Sequence, residues 1–138
     1  GHFYYLGQMV TRETDAGVLG PEQTIDRVLA LKTATTWAPY YLFKEKELGT
    51  LEPGKFADLQ VLNKDYFDKQ SVPDGMLKTV RPLLTMVGGK TAYLDTSLAT
   101  ELKAQPEGIQ PEQLIKQISE WEAGARIEGL DSTTNTDQ

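Results

Sequence analysis

A tight turn followed by an apolar run is the feature of this sequence that most constrains its fold. The turn consists of four residues, Glu52, Pro53, Gly54 and Lys55. Proline presets φ at about −65° at the second position of a type II turn, and glycine accepts the positive φ at the third. The mostly apolar run over residues 56–62 is typical of a strand that is covered on most of both faces. The sequence therefore predicts a turn that leads directly into a buried strand.

The segment before the turn predicts two helices. Pro21 and Glu22 mark the start of the first, over residues 22–33, because proline is tolerated in the first turn and a carboxylate complements the helix dipole. Its apolar stripe has helical spacing and consists of Ile25, Val28, Leu29 and Leu31. Three polar residues are predicted to lie off that face, namely Asp26, Arg27 and Lys32.

The second helix is predicted from Thr36 to about Lys44, with Thr35 as its cap. Pro39 lies in its first turns and should tighten or kink it. The most aromatic stretch of the chain falls here and contains Trp37, Tyr40, Tyr41, Leu42 and Phe43. We expect these side chains to form a packing cluster that joins helix to sheet, with a ligand-stacking surface as the alternative.

A β-hairpin is predicted after the first strand. Gly88 and Gly89 form a two-residue loop that tolerates the positive φ of a type I′ or II′ turn, and the returning strand covers residues 90–94. Pro82 has no amide proton, so the strand before the loop should begin after it or lie at an edge.

The C-terminal third is acidic and partly helical. Residues 1–94 contain 11 acidic and 11 basic side chains, whereas residues 95–138 contain 9 acidic and 3 basic. Such a bias disfavours binding to nucleic acid or an anionic membrane, and a solvated face is its ordinary explanation. Helices are predicted over residues 97–104 and from Pro111, the second with an apolar stripe formed by Leu114, Ile118 and Trp121. That stripe should pack on the chain's own sheet or dock to a partner, and residues 129–138 should form a frayed end.

Four segments of the chain resemble the metal-dependent amidohydrolases. G-T-L-E-P-G-K-x-A-D-L-x-V-L, starting at Gly49, resembles the strand that leaves the catalytic barrel for a small β-sandwich. The segment 30–42 resembles A-L-x-x-x-T-x-x-A-A-x-x-L, from which Trp37 and Pro39 depart, and residues 10–12 resemble a V-T-R of amidohydrolase family 3. Residues 85–93 fit the T-x-V-x-G-K-x-V-Y of the last two sandwich strands. The resemblance covers about residues 3–94.

This resemblance implies an α+β partial domain, the C-terminal segment of a longer enzyme. Residues 1–47 would be the remnant of the barrel's last helical region, residues 48–94 the composite β-sandwich strands, and residues 95–138 an acidic C-terminal extension with one helix. A complete (β/α)₈ barrel takes about 250 residues, so 138 residues cannot contain one. The expected partners are the N-terminal barrel of the parent and a second copy of the chain, with no nucleic acid and no membrane.

We assign no catalytic, cofactor-binding or metal-binding residue from the sequence. The family's metal site uses several histidines, whereas this chain has one, His2, and no cysteine. Asp58 belongs to the strand motif, and we expect it to accept hydrogen bonds from backbone amides rather than to act in catalysis. Lys55 and Lys90 are expected to be turn or edge residues. Zinc or another divalent metal is expected only in the full-length parent.

Two classes of function therefore stay open. The chain is the non-catalytic C-terminal region of an enzyme that hydrolyses non-peptide C–N bonds, or it is a free-standing module for oligomerisation or partner binding. The upstream coding sequence separates the two, since an H-x-H motif there indicates the enzyme.

Overall fold

The computed structural model describes residues 1–131, with side chains as far as Trp121. Its α-helices are α1 (His2–Thr11), α2 (Arg27–Ala34), α3 (Thr96–Leu102) and α4 (Pro111–Asp131). Its strands are β1 (Glu13–Thr14), β2 (Gly17–Val18), β3 (Leu59–Leu62), β4 (Pro82–Val87) and β5 (Lys90–Leu94). Short 3₁₀ helices cover Pro21–Gln23, Ala38–Leu42 and Asp74–Thr79. The α+β class is thus confirmed, and no helix in the described residues is long and apolar enough to cross a membrane.

Helix α1 was not among the sequence predictions, although its signal was present. Phe3 and Leu6 are buried, and Val10 packs against the same core, so the apolar residues recur at helical spacing. Gly7 is buried where the helix packs against the 3₁₀ helix Asp74–Thr79, and a Cβ at this position would lie in ordinary van der Waals contact, 3.5 Å from the Leu77 Cβ. The small exposed hairpin of β1 and β2 follows directly and was also missed.

Helix α2 begins five residues later than predicted and buries a different face. Asp26 caps it by accepting a hydrogen bond from the Val28 amide at 2.7 Å, which fixes the start at Arg27. Val28 and Leu29 of the predicted stripe are exposed, whereas Arg27 and Ala30 are buried. The predicted stripe was wrong for Val28 and Leu29, because the helix turns its Arg27 side towards the loop 66–74, while Ile25 and Leu31 are half-buried against the core.

The hydrophobic core lies where α1, α2 and the segment 66–80 meet. Its buried members are Phe3, Leu6, Ala30, Tyr66, Val72, Leu77 and Val80. Half-buried side chains at its border include Ile25, Leu31 and Leu62. The core therefore combines residues that are far apart in the sequence, and it places α2 beside the first strand of the sheet.

The three-stranded antiparallel sheet has the order β3-β4-β5. The hairpin is confirmed, since Val87 pairs with Lys90 and the φ values of Gly88 and Gly89 are 57° and 77°. Pro82 is the first residue of the central strand, paired with Leu62, and so lies inside the strand that was expected to begin after it or lie at an edge. No residue of β3 or β4 is fully buried. The prediction of a first strand over 56–62, covered on both faces, was therefore wrong in length and in burial.

The turn before β3 has the predicted geometry. The Lys55 amide donates to the Glu52 carbonyl at 3.1 Å, and Gly54 has φ 91°. Gly49 is constrained more tightly still, because it combines φ 94° with a Cβ position 2.8 Å from the Pro39 Cγ.

Thr35 directly follows α2, at its C-terminal cap. It does not cap a second α-helix, so that prediction was wrong. Its hydroxyl donates back to the Leu31 carbonyl at 2.9 Å, and the predicted helix over 36–44 is instead the 3₁₀ helix Ala38–Leu42. Pro39 is buried in the first turn of that helix, which accounts for its tighter winding.

The segment after β5 is hydrogen-bonded to the sheet. Helix α3 lies close to its predicted position, and Leu94 exchanges two backbone hydrogen bonds with Glu107 at 2.9 and 3.1 Å. Helix α4 begins at Pro111 as predicted and continues to Asp131. The frayed end predicted from residue 129 is thus helical as far as 131, and its remainder lies outside the described residues.

Candidate interaction surface

The most buried polar side chain of the described residues is Arg27, which the sequence analysis placed off the buried face. Its guanidinium donates to the carbonyls of Tyr66 at 2.7 Å and Val72 at 2.9 Å, and it forms an ion pair with Asp74. The Tyr66 hydroxyl returns a hydrogen bond to the Arg27 carbonyl at 3.0 Å, and burial raises the pKa of this phenol. These contacts close the loop 66–74 over α2, so Arg27 has a structural role.

The two motif residues weighed in the sequence analysis, Asp58 and Lys55, also have structural partners. Asp58 accepts a hydrogen bond from the Gly88 amide at 2.6 Å, which confirms a backbone-binding role, although the amide comes from the hairpin rather than from a neighbour in sequence. The Lys55 ammonium donates to Thr50 at 2.7 Å and to the Glu45 carbonyl at 3.0 Å, and it pairs with Glu52. The Lys55 side chain thus links the turn to the residues just before it. Lys90 is exposed at the start of β5.

Asp95 is the carboxylate with the most perturbed environment. It accepts hydrogen bonds from the hydroxyl and amide of Ser97, and from the Arg81 guanidinium at 2.6 Å. The Ser97 hydroxyl makes the largest contribution, and together these donors lower the pKa of Asp95 to about 2. The charged carboxylate caps α3, so its chemistry is also that of a fold-stabilising group.

An open cleft separates the helices from the sheet. It has a volume of about 610 Å³ and is lined by Phe3, Leu31 and Ala34 on the helical side. On the sheet side it is lined by Leu59, Leu62 and Met86. A second hollow of about 440 Å³ shares Leu59 and extends the cleft towards Leu42 and Leu48. The cleft also borders His2 and Asp58, and the Asp58 carboxylate already accepts the Gly88 amide. The rest of the lining is mostly apolar and is suited to packing against another polypeptide segment.

The residues Trp37–Phe43, called the aromatic segment below, project into solvent. The exposed fractions are 44% for Trp37, 62% for Tyr40, 87% for Tyr41 and 91% for Phe43. The prediction that they form an internal packing cluster was wrong, because the buried Pro39 anchors the segment while its large side chains point outwards.

Helix α4 carries a second exposed apolar surface, its stripe of Leu114, Ile118 and Trp121. Their exposed fractions are 49%, 48% and 73%. The expectation that this stripe packs on the chain's own sheet was therefore wrong, and docking to a partner is the alternative that the geometry leaves.

Residues 1–93 match the sequence profile of the amidohydrolase family, in its family 3. The chain belongs to the amidohydrolase family. This match covers the helical core and the hairpin except its last residue, Leu94, and it ends before the acidic extension. The curated proteins gave no match, and neither did the solved structures.

The divalent metal typical of amidohydrolases does not fit the donors of this chain's described residues. They contain no group of three or more His, Cys, Asp or Glu side chains arranged to hold an ion. His2, the only histidine of the sequence, lies exposed at the start of α1. The carboxylates of Asp74 and Asp95 already accept hydrogen bonds from arginine side chains. Because a catalytic zinc site takes three protein ligands, no catalytic step of an amidohydrolase is assigned to these residues.

Proposed function

We propose that this chain is the non-catalytic C-terminal region of a metal-dependent amidohydrolase whose full-length parent hydrolyses non-peptide C–N bonds. The observation that carries the proposal is the family match over residues 1–93, across a segment whose described side chains provide no metal-binding set. In this proposal the parent supplies the metal, the water that it activates and the substrate pocket. The present chain supplies structure.

The open face of the sheet supports this assignment. A three-stranded sheet needs a covered apolar face to be stable, yet the strands β3 and β4 are nowhere fully buried. The sheet has β3 and β5 at its two edges, and the cleft of about 610 Å³ lies against it. We infer that N-terminal strands of the parent pair with this sheet and fill the cleft, which makes the sandwich a composite of both ends of the protein.

The helical core supports a second part of the proposal. Helices α1 and α2 share a closed core with the loop 66–80, while Val28 and Leu29 of α2 stay 43% and 42% exposed. An apolar outer surface on an otherwise complete helical core is suited to contact with the remaining barrel of the parent.

The alternative is a free-standing module for oligomerisation or partner binding. The exposed stripe of α4 favours it, because that helix lies beyond the residues that match the family. In this case the chain would be the complete gene product, and its open surfaces would be binding surfaces in their own right.

The test combines the native gene product with the isolated chain. We expect the native product to be several hundred residues longer, to contain an H-x-H motif and to hold divalent metal after dialysis, as measured by elemental analysis. The 138-residue chain, freed of any histidine tag, should hold no stoichiometric zinc, and His2→Ala should leave that result unchanged. A native mass of 15.4 kDa would establish the module instead. Stoichiometric zinc in the isolated chain that is lost when carboxylates are replaced would contradict the non-catalytic assignment.

A further inference from the structure

We propose that the apolar stripe of α4 in one copy of this chain packs against the aromatic segment of a second copy, and that two copies exchange these contacts reciprocally. No residue of either surface lines the cleft of about 610 Å³ assigned above to the parent's N-terminal strands, and Leu42 of the aromatic segment borders only the second hollow. This pairing therefore does not depend on the proposed function, and it gives the expected homo-oligomer a defined interface.

The position of α4 favours a contact between copies. Gln110 fixes the start of the helix at the end of β5, because its side-chain amide donates to the carbonyls of Leu94 and Glu107, both at 3.1 Å. The Gln110 backbone amide also donates to the Gln113 side chain at 3.0 Å, which caps the first turn. The aromatic segment adjoins the start of β3, through the hollow shared by Leu42 and Leu59. The strands β3 and β5 are the opposite edges of the sheet, and the exposure of both surfaces shows that α4 does not cover the aromatic segment of its own chain.

The exposed area is sufficient for a stable dimer. An aromatic side chain offers about 150–250 Å², so the four rings of the aromatic segment, at 44–91% exposure, present roughly 550 Å². The stripe of α4 adds a smaller area, and the two surfaces together approach the roughly 800 Å² per partner of a standard interface. An exchange with two-fold symmetry uses both surfaces of each copy, so that none stays exposed.

The charges of the two surfaces are complementary. Residues 32–47, which contain the aromatic segment, include three lysines and two glutamates, for a net charge of +1, and Lys44 is paired with Glu47. Over residues 111–121, the part of α4 whose side chains are described, there are two acidic residues and one basic residue, for a net charge of −1. Opposite net charges favour this pairing over contact between two copies of α4, which would bring like charges together.

The shape of the aromatic segment suits a helix that presents bulky anchors. A hollow of about 370 Å³ lies beside Trp37 and Tyr40 and is bordered by Lys32 and Lys55. An amphipathic helix binds such surfaces through residues spaced at i, i+4 and i+7, the spacing of Leu114, Ile118 and Trp121. The aromatic anchor of each surface is then buried by the other, as in the centre of typical protein interfaces.

The test is sedimentation equilibrium of the 138-residue chain at micromolar concentration. We expect a dimer, and Ile118→Glu and Tyr41→Ser should each raise the dimer dissociation constant at least tenfold. Ser119→Glu adds the same charge on the other side of α4 and should leave the constant within about twofold. Circular dichroism confirms that each variant keeps its helices, which is expected because both replaced side chains are exposed.

A mixing experiment distinguishes this interface from any other. An equimolar mixture of the Ile118→Glu and Tyr41→Ser variants can form one intact contact per heterodimer, so it should dimerise more tightly than either variant alone. A monomeric wild type would overturn the proposal. So would a dimer that responds to only one of the two substitutions, or a mixture that is no tighter than its components.

Discussion

The helical and the sheet regions of this chain differ in how completely each closes its own surface. The helices α1 and α2 and the loop 66–80 bury seven core residues, among them Leu6, Val72 and Leu77 at 2% exposure or less. The three main strands contribute one buried residue, Leu94 at 7%. The helical region buries its own apolar side chains, whereas the sheet leaves a face exposed that another polypeptide segment can cover. The difference indicates where this fold is complete and where it is built to be joined.

The same contrast appears in the polar groups. In the helical region Arg27 is 2% exposed and satisfied by carbonyls and a carboxylate of a distant loop. On the strands, polar contacts such as Asp58 with the Gly88 amide lie in exposed positions, whereas the buried Asp95 and Gln110 lie where the chain leaves β5. Substitutions should therefore affect stability strongly in the helical region and weakly on the strands β3 and β4.

Replacing Arg27 by methionine should have the largest effect on stability. The substitution leaves the buried carbonyls of Tyr66 and Val72 without their donor, and each buried acceptor left unsatisfied costs about 1–3 kcal/mol. The urea unfolding midpoint should fall accordingly. Arg27→Lys should recover only part of the loss, because an ammonium group cannot reproduce the planar fork of hydrogen bonds. Lys46→Met, at an exposed position, is the control. If Arg27→Met and this control had equal urea unfolding midpoints, the proposed difference between the helical and the sheet regions would be wrong.

Gly49→Ala should be the next most destabilising change, with a loss of roughly 2–4 kcal/mol. It forces an alanine into φ 94° and places its Cβ 2.8 Å from the Pro39 Cγ and 3.1 Å from the Thr35 carbonyl oxygen. Gly54→Ala at φ 91° has open space around it and should cost less. Gly54→Val, with its branched side chain, should lose roughly 1–3 kcal/mol from backbone strain alone. An unchanged unfolding midpoint for Gly54→Val would show that the turn does not need its positive φ.

Asp95→Asn should destabilise the protein by roughly 2 kcal/mol near neutral pH, because the charged acceptor of Ser97 and Arg81 is lost. The folded-state pKa of about 2 lies below the ordinary 3.8. The unfolded chain therefore takes up the proton first as the pH falls, and this contribution to stability is lost between about pH 4 and pH 2. Unfolding curves over that range should be steeper in pH for the wild type than for the variant. Parallel pH dependences would show that Asp95 is not the responsible group.

The smallest effect should come from a matched pair of valine substitutions. Val72→Thr introduces a hydroxyl at a position with 0% exposure and should cost about 1–2 kcal/mol. Val61→Thr, in the sheet at 41% exposure, should change stability by less than about 0.5 kcal/mol. Differential scanning calorimetry of both variants measures the difference. If the order is reversed, the sheet face is buried in solution, which would point to self-association through the sheet.

The local features were the most predictable part of the structure. The turn at Gly54, the hairpin at Gly88 and Gly89 and the start of α4 at Pro111 were all expected, because glycine and proline restrict φ in ways that do not depend on the rest of the chain. The start of α2 was missed because Asp26 is a stronger cap than the proline and glutamate upstream. Helix α1 was missed although Phe3, Leu6 and Val10 carried its periodicity.

The buried and exposed surfaces were far less predictable. Val28 and Leu29 on α2 and the large side chains of the aromatic segment suggested burial, yet all of them are exposed. An arginine in this sequence pattern was expected to face solvent. The burial of Arg27 is favourable only because its guanidinium donates hydrogen bonds to the Tyr66 and Val72 carbonyls. No spacing within α2 signals that loop, because its partners lie about 40 residues away.

The sequence by itself determined the family of this protein, its turns and the absence of a histidine set, since these depend on residue identity and local backbone preference. The tertiary structure alone decided which faces are closed and which stay open. Burial is a property of the segments that happen to meet, such as α2 with the loop 66–74, and a hydrophobic pattern states only that a face seeks cover. The aromatic segment and the stripe of α4 satisfy that pattern while no described part of the chain covers them.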